Sequence, residues 1–319
     1  MYKLEFWIMR RNIYCLLSLI CVVFISCNKS DSLVNSSLDY CEQESGYEEI
    51  LSAIDSLNYV YGVEPISLME TRGLGKAIGS HYADQFGAKL GANIGKRIGS
   101  SLGVVTANPV VGVVGYLGGR YIGGVAGSIA ASWLAGALIT GGIAALLEAP
   151  VQIDDNTTVG EVHNIILNKL HTNGEVYITS SGVVLFDKLY DDILEIESDL
   201  GLEDELSNDM AYRSEMKSFC LDVYQNTKNA IVNNENQSVY LDRLSNTLIR
   251  FDVPEEEVRE FRELNERLVV ASYQLDENQA ISYEADFEKV VDSTTLPLVE
   301  KSEIKTVGSI SIQSTQYWK

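Results

Sequence analysis

Between Gly73 and Leu147 small residues recur at every fourth position. The first run is Gly75, Gly79, Ala83, Gly87, Gly91, Gly95, Gly99 and Gly103, and the second is Gly115, Gly119, Gly123, Gly127, Ala131 and Ala135. Residues four apart share one face of a helix, so each run predicts a helix with a groove in which another backbone can come close. Of the chain's 25 glycines, 18 fall in this window. In a water-exposed helix each would cost about 1 kcal/mol relative to alanine. Val, Ile, Leu and Ala fill the intervening positions, unlike the Ser-rich composition of flexible linkers. The pattern is the small-xxx-small chemistry of helices that associate in a bilayer, where backbone hydrogen bonds must be made internally. A hairpin over 73–147 is expected, with helix A over 73–105, a break at Asn108-Pro109 and helix B over 110–147. Its glycine faces are expected to pack helix on helix and copy on copy, giving a homo-oligomer in lipid.

The two helices differ in polarity. Helix B carries Arg120 near its start and no charge from Tyr121 to Leu147, which reads as a spanning candidate. Helix A carries Lys76, His81, Asp84, Lys89, Lys96 and Arg97. It is therefore expected at the membrane interface, or packed on helix B with its charges toward water.

Outside this window the patterns are ordinary. Ile50, Leu51, Ile54 and Leu57 have helical spacing and predict a short amphipathic helix over 47–61, preceded by a polar tether; together these make up a segment 27–72. After Pro150 the chain reads as a separate, mostly helical domain over 151–319. Thr158 and Glu161 form a Thr-x-x-Glu capping box opening a helix to Leu170. Residues 175–186 are β-branched around Ser180-Ser181-Gly182 and predict a short β-hairpin. Helical patterns follow over 187–200, 203–233, 237–250, 255–273 and 278–291, and Pro254 suits a first turn. Residues 304–318, alternating around Ile310 and Ile312, predict an extended C-terminal tail. The expected fold class is mainly α: a glycine-zipper helical hairpin plus an acidic helical bundle.

Charge sharpens the division. The whole chain carries a formal −21. The window 73–147 holds five bases against one acid, a balance of +4, whereas 151–319 holds 14 bases against 33 acids, a balance of −19. An acidic body excludes nucleic acid as the expected partner. A basic glycine-rich segment is drawn instead to an anionic lipid membrane, or to its own acidic domain.

No residue pattern supports catalysis. His-Glu-x-x-His and a phosphate loop are both missing, and Gly73-Leu74-Gly75-Lys76 lacks the upstream glycine of the last. His163 and His171 lie eight apart, too far for a shared metal, and the cysteines have no metal spacing. No catalytic residue, metal or cofactor is expected. Cys41 and Cys220 read either as one disulfide or as two separate thiols.

Two resemblances give these readings a setting. Lys3, Arg10 and Arg11, the apolar run Ile13–Ile25 and Phe24-Ile25-Ser26-Cys27 resemble a bacterial lipoprotein signal over 1–26, in the looser form of Bacteroidota. This implies lipid attachment at Cys27, a mature chain of net charge −23 and an outer-membrane location facing the surface. Gly87 to Gly103, Asn108-Pro109 and Gly115 to Gly127 resemble both the two-transmembrane glycine-zipper outer-membrane lipoproteins and the glycine-zipper bacteriocins and contact-dependent toxins. The second resemblance implies a hairpin that enters a neighbour's membrane and forms a pore. The first implies a structural lipoprotein supporting envelope integrity.

Overall fold

The computed structural model describes residues 36–64, 80–94, 126–138, 157–202 and 209–318, with the side chains of 36–46 and Val299 excepted. Among these residues every regular element is a helix. In chain order they are α1 Ser36–Val60, α2 over 80–94, α3 over 126–138, α4 Val159–Thr172, α5 Phe186–Asp199, α6 Met210–Val232, α7 Gln237–Arg250, α8 Glu255–Gln274, α9 Glu277–Ser293 and α10 Leu298–Trp318. No described helix is long and apolar enough to cross a membrane. The chain divides after Glu49 into two units; of the first, the described part is the leading half of α1.

Within Ile50–Lys319, α1 buries Ile50, Ile54 and Leu57 on one face. It begins at Ser36, earlier than its apolar pattern shows. Its end is closed at Gly62, whose φ of +68° is open to glycine at no steric cost.

The outer helices follow the sequence closely because each start is signalled locally. Thr158 and Glu161 make the reciprocal capping box of α4, and Asp276 with Gln279 makes that of α9. Asp209 and Asn236 cap α6 and α7 through their side chains, each such cap being worth roughly 1 kcal/mol. The expected hairpin is reduced to one antiparallel bridge, Ile178 to Val184, around Gly182.

The expected extended tail is corrected: Leu298–Trp318 is a helix of 21 residues. Its alternation of Ile with Ser resembles a strand with one wet face, but here both faces are covered. Ser309, Ser311, Ser314 and Thr315 are as buried as Ile310 and Ile312. Tertiary partners for those hydroxyls override the local β preference.

Helices α2, α3 and α10 lie innermost. Every residue of α2 is buried, as are all but Trp133, Ala137 and Leu138 of α3. Tyr82 and Phe86 of α2, Ile129 and Leu134 of α3, Ile166 of α4, Phe219 of α6, Leu244 of α7, Phe261 of α8 and Ile310 of α10 belong to one apolar cluster. The glycine-rich helices thus share a core with the acidic helices that follow them.

Candidate functional site

Glycine sets the spacing at the centre. A Cβ on Gly87 would lie 2.7 Å from the Gly127 carbonyl oxygen, 2.9 Å from Ser128 Cα and 3.0 Å from Ala131 Cβ. Main chain therefore meets main chain where α2 crosses α3. Gly91 and Ala83 lie on the same buried helix. A Cβ on Gly127 would meet the Met216 methyl of α6. Cys27 and the other zipper positions, Gly75, Gly79, Gly95, Gly99, Gly103, Gly115, Gly119 and Gly123, lie outside the described residues, as does the Asn108-Pro109 turn.

Polar residues occupy another stripe of α2: His81, Asp84, Gln85 and Lys89, at helical spacing. Directing the helix A charges to water, as read from sequence, is corrected for His81, Asp84 and Lys89, which are buried together with Gln85; Lys76, Lys96 and Arg97 lie outside the described residues. Each of the four buried residues is matched by a polar group from α4, α8 or α10. The Asp84 carboxylate accepts from Trp318 Nε1 at 2.9 Å and from the Ser314 hydroxyl, and His163 Nε2 lies 3.0 Å from its other oxygen. Asn164 donates its amide to the Gln313 carbonyl, turning its own oxygen toward His163 Nδ1 at 3.1 Å. Both nitrogens of His163 thus face oxygen atoms, Nε2 that of Asp84 and Nδ1 that of Asn164.

His81 stacks its contacts above this pair. Gln85 Nε2 donates to its Nε2 at 2.6 Å, leaving Nδ1 to donate to the Ser314 hydroxyl at 3.3 Å. One turn further, Lys89 is held by Glu303 of α10 at 2.5 Å and Glu257 of α8 at 3.1 Å. Burial alone would push this ammonium's pKa down; the two carboxylates outweigh burial and hold it above its ordinary value. Lys89 joins the basic window to the acidic helices, the complementarity that charge counting suggested.

On the far side of α10, Ser309 and Gln313 donate to the buried Glu284 of α9. Gly160 permits the close approach of α4: a Cβ there would fall on the Ser309 carbonyl oxygen, and the Gly160 N–H donates to Ser309 Oγ at 2.8 Å. His171 stacks on Tyr317 and meets the edge of Trp318. His81 and His171 thus touch α10 directly, and His163 is linked to it through Asp84 and through its neighbour Asn164. The sequence related only His163 to His171, as too far apart to share a metal; the signal available for His81 was the i, i+3, i+4, i+8 polar stripe on α2.

Serine, histidine and aspartate meet here, but not as a nucleophilic triad. A triad needs one imidazole between hydroxyl and carboxylate, whereas Ser314 donates directly to Asp84 and each histidine holds only one of the two. Among the described residues no group of three His, Cys, Asp or Glu side chains could hold a metal. What this seam can do is fasten α2 to its neighbours, and only while every donor keeps its acceptor.

The seam contains opposite pH responses. Burial, against Asp84 and with the repulsion of His163, lowers His81 from 6.5 to about 4. Its contribution to stability is full above 6.5 and is lost as pH falls toward 4. Burial, against the donors Gln313 and Ser309, raises Glu284 from 4.5 to about 7. Its contribution is full below 4.5 and is lost as pH rises toward 7. Each shift corresponds to roughly 3 kcal/mol, so over pH 4.5–6.5 the two nearly cancel. We expect Glu284→Gln to gain stability relative to the parent as pH rises from 5 to 8. His81→Gln should gain as pH falls from 7 to 4.5. Urea midpoints across that range check both, and parallel curves for parent and variants would contradict the opposition.

Comparison of the chain with protein-family models, curated proteins and solved structures found no match.

Proposed function

We propose that this chain is a bacterial envelope lipoprotein, anchored through lipid on Cys27, whose glycine-rich hairpin is kept in a closed helical bundle until it is released into a membrane. In lipid the hairpin self-associates through its glycine faces and forms a pore, acting against a neighbouring cell on contact. The observation that carries this reading is the placement of α2. It carries Ala83, Gly87 and Gly91 at four-residue spacing, is buried at every position and is held by polar pairs. Glycine at four-residue spacing costs helix stability in a water-soluble core and suits helix approach in lipid; released, such a helix would keep its charges at the membrane interface.

The test is dye release from anionic vesicles by the mature protein with Cys27→Ser, so that acyl chains cannot account for binding. Release is expected, and faster release from an Asp84→Ala variant, whose bundle is weakened. Replacing Gly95 and Gly123 together by Leu should abolish release by blocking helix approach in lipid. A protein that neither floats with vesicles nor leaks them, in parent and Asp84→Ala forms alike, would overturn the pore and favour a structural envelope role.

A further inference from the structure

Among the described residues, the two glycine-rich helices reach the protein surface along one edge. Trp133, Ala137 and Leu138 of α3 are half-buried, whereas every other residue of α2 and α3 is buried. Ala137 and Leu138 come one turn after Trp133, and no charge follows them in the sequence as far as Leu147. The edge is apolar, and so is the stretch of sequence that it leads into.

Over 126–138, α3 has three polar side chains, Ser128, Ser132 and Trp133. Both hydroxyls and the indole N–H are buried without a hydrogen-bonding partner. Elsewhere the fold does match buried groups of the same kind. Ser309, Ser311 and Ser314 of α10 are all hydrogen-bonded, and Trp318 donates its indole N–H to Asp84 at 2.9 Å. Trp133 differs from Trp318 in a second way: its ring is partly open to solvent while its N–H is turned inward.

The ring of Trp133 rests on Tyr177 in a T-shaped contact, with centroids 4.8 Å apart. Tyr177 has further partners of its own. Its hydroxyl donates to Asp192 at 2.6 Å and accepts from Asn173, and the Lys188 ammonium lies 5.7 Å from its ring centroid. No side-chain hydrogen bond holds Trp133 in place. An indole N–H buried without an acceptor forfeits its hydrogen bond to water. At a membrane–water interface the same side chain finds apolar contact for its ring and a wet acceptor for its N–H, and tryptophan concentrates there for that reason.

We propose that Trp133 is the residue through which the closed bundle docks on lipid. The ring turns off Tyr177 into the interfacial zone of a bilayer, where its N–H gains the acceptor that the bundle lacks. Ala137 and Leu138 lie against the acyl chains beside it. This rests on the membrane reading above and adds to it a point of contact.

From Cys27 onward the sequence holds two tryptophans, Trp133 and Trp318, so the chain carries its own reporters. In the Cys27→Ser protein, Trp318→Phe leaves Trp133 as the emitter and Trp133→Phe leaves Trp318. Emission is followed on adding anionic vesicles made with a brominated phosphatidylcholine, which quenches indoles that reach the acyl chains, alongside dye release. We expect Trp133 to be quenched about twice as strongly as Trp318, or more. Trp133→Phe, which keeps a ring without an N–H, should weaken partition into unbrominated vesicles about threefold or more, the net worth of one hydrogen bond.

Equal quenching of the two, or stronger quenching of Trp318, overturns the anchor. Unquenched Trp133 during dye release also overturns it and leaves the pore reading intact. Quenching of Trp133 with the dye retained keeps the anchor and overturns the pore. No quenching and no release overturns both, and unchanged partition of Trp133→Phe overturns the part given to the N–H. Should Trp318→Phe fail to fold, the share of the parent's quenching that Trp133→Phe removes gives the same quantity.

Discussion

Asp84→Ala is expected to destabilise the bundle by about 3–5 kcal/mol, the usual consequence of removing one partner from a buried pair. Three donors lose their acceptor at once: His163 Nε2, the Ser314 hydroxyl and Trp318 Nε1. All are buried, so water does not replace what is lost without the core opening. For a unit of this size the loss corresponds to a fall in Tm of roughly 10 °C. Asp84→Asn keeps an acceptor for the indole and should lose less. Urea denaturation of the three proteins measures the difference; a loss below about 1 kcal/mol for Asp84→Ala would mean that the seam does not fasten α2.

The second large effect is expected at Gly87. Alanine there would gain about 1 kcal/mol of helix propensity, yet its Cβ would lie 2.7 Å from one backbone atom and 2.9 Å from another. Neither obstacle is a side chain that can turn aside, so α2 and α3 must separate. Overpacking of this kind costs about 1–3 kcal/mol, which makes Gly87→Ala a net loss and Gly87→Leu a far larger one. Gly127→Ala should be milder, because its nearest obstacle is the terminal methyl of Met216. Urea midpoints at constant slope check the order. Equal stability of Gly87→Ala and the parent would contradict the close crossing.

Most of the outer fold was legible from sequence because its signals are local. Thr158 and Glu161, Pro254 before α8, and the apolar spacing of α7 mark starts and faces that the structure reproduces within a few residues. The helical state of α2 and α3 was equally readable from their four-residue periodicity. Two features were not. The direction of the α2 charges depends on Glu303, His163 and Trp318, which lie 79 to 234 residues away along the chain; the stripe is visible in sequence, its partners are not. The state of α10 was misread for the same reason. Ser, Thr and Ile alternate there as in a half-wet strand, and only the matching polar groups of α2, α4 and α9 make a helix with buried hydroxyls the better solution.

The crossing of α2 on α3 has a kinetic consequence. Because the Gly87–Gly127 contact is made largely by main chain, it owes little to the solvent around it. Side-chain cores must repack when water is exchanged for hydrocarbon, but a backbone-to-backbone crossing can be carried over intact. On the function proposed here, the two helices enter the membrane as a preassembled cassette. The pairing of the two helices with each other, otherwise a step left to be made in the bilayer, is completed while the protein is still folded.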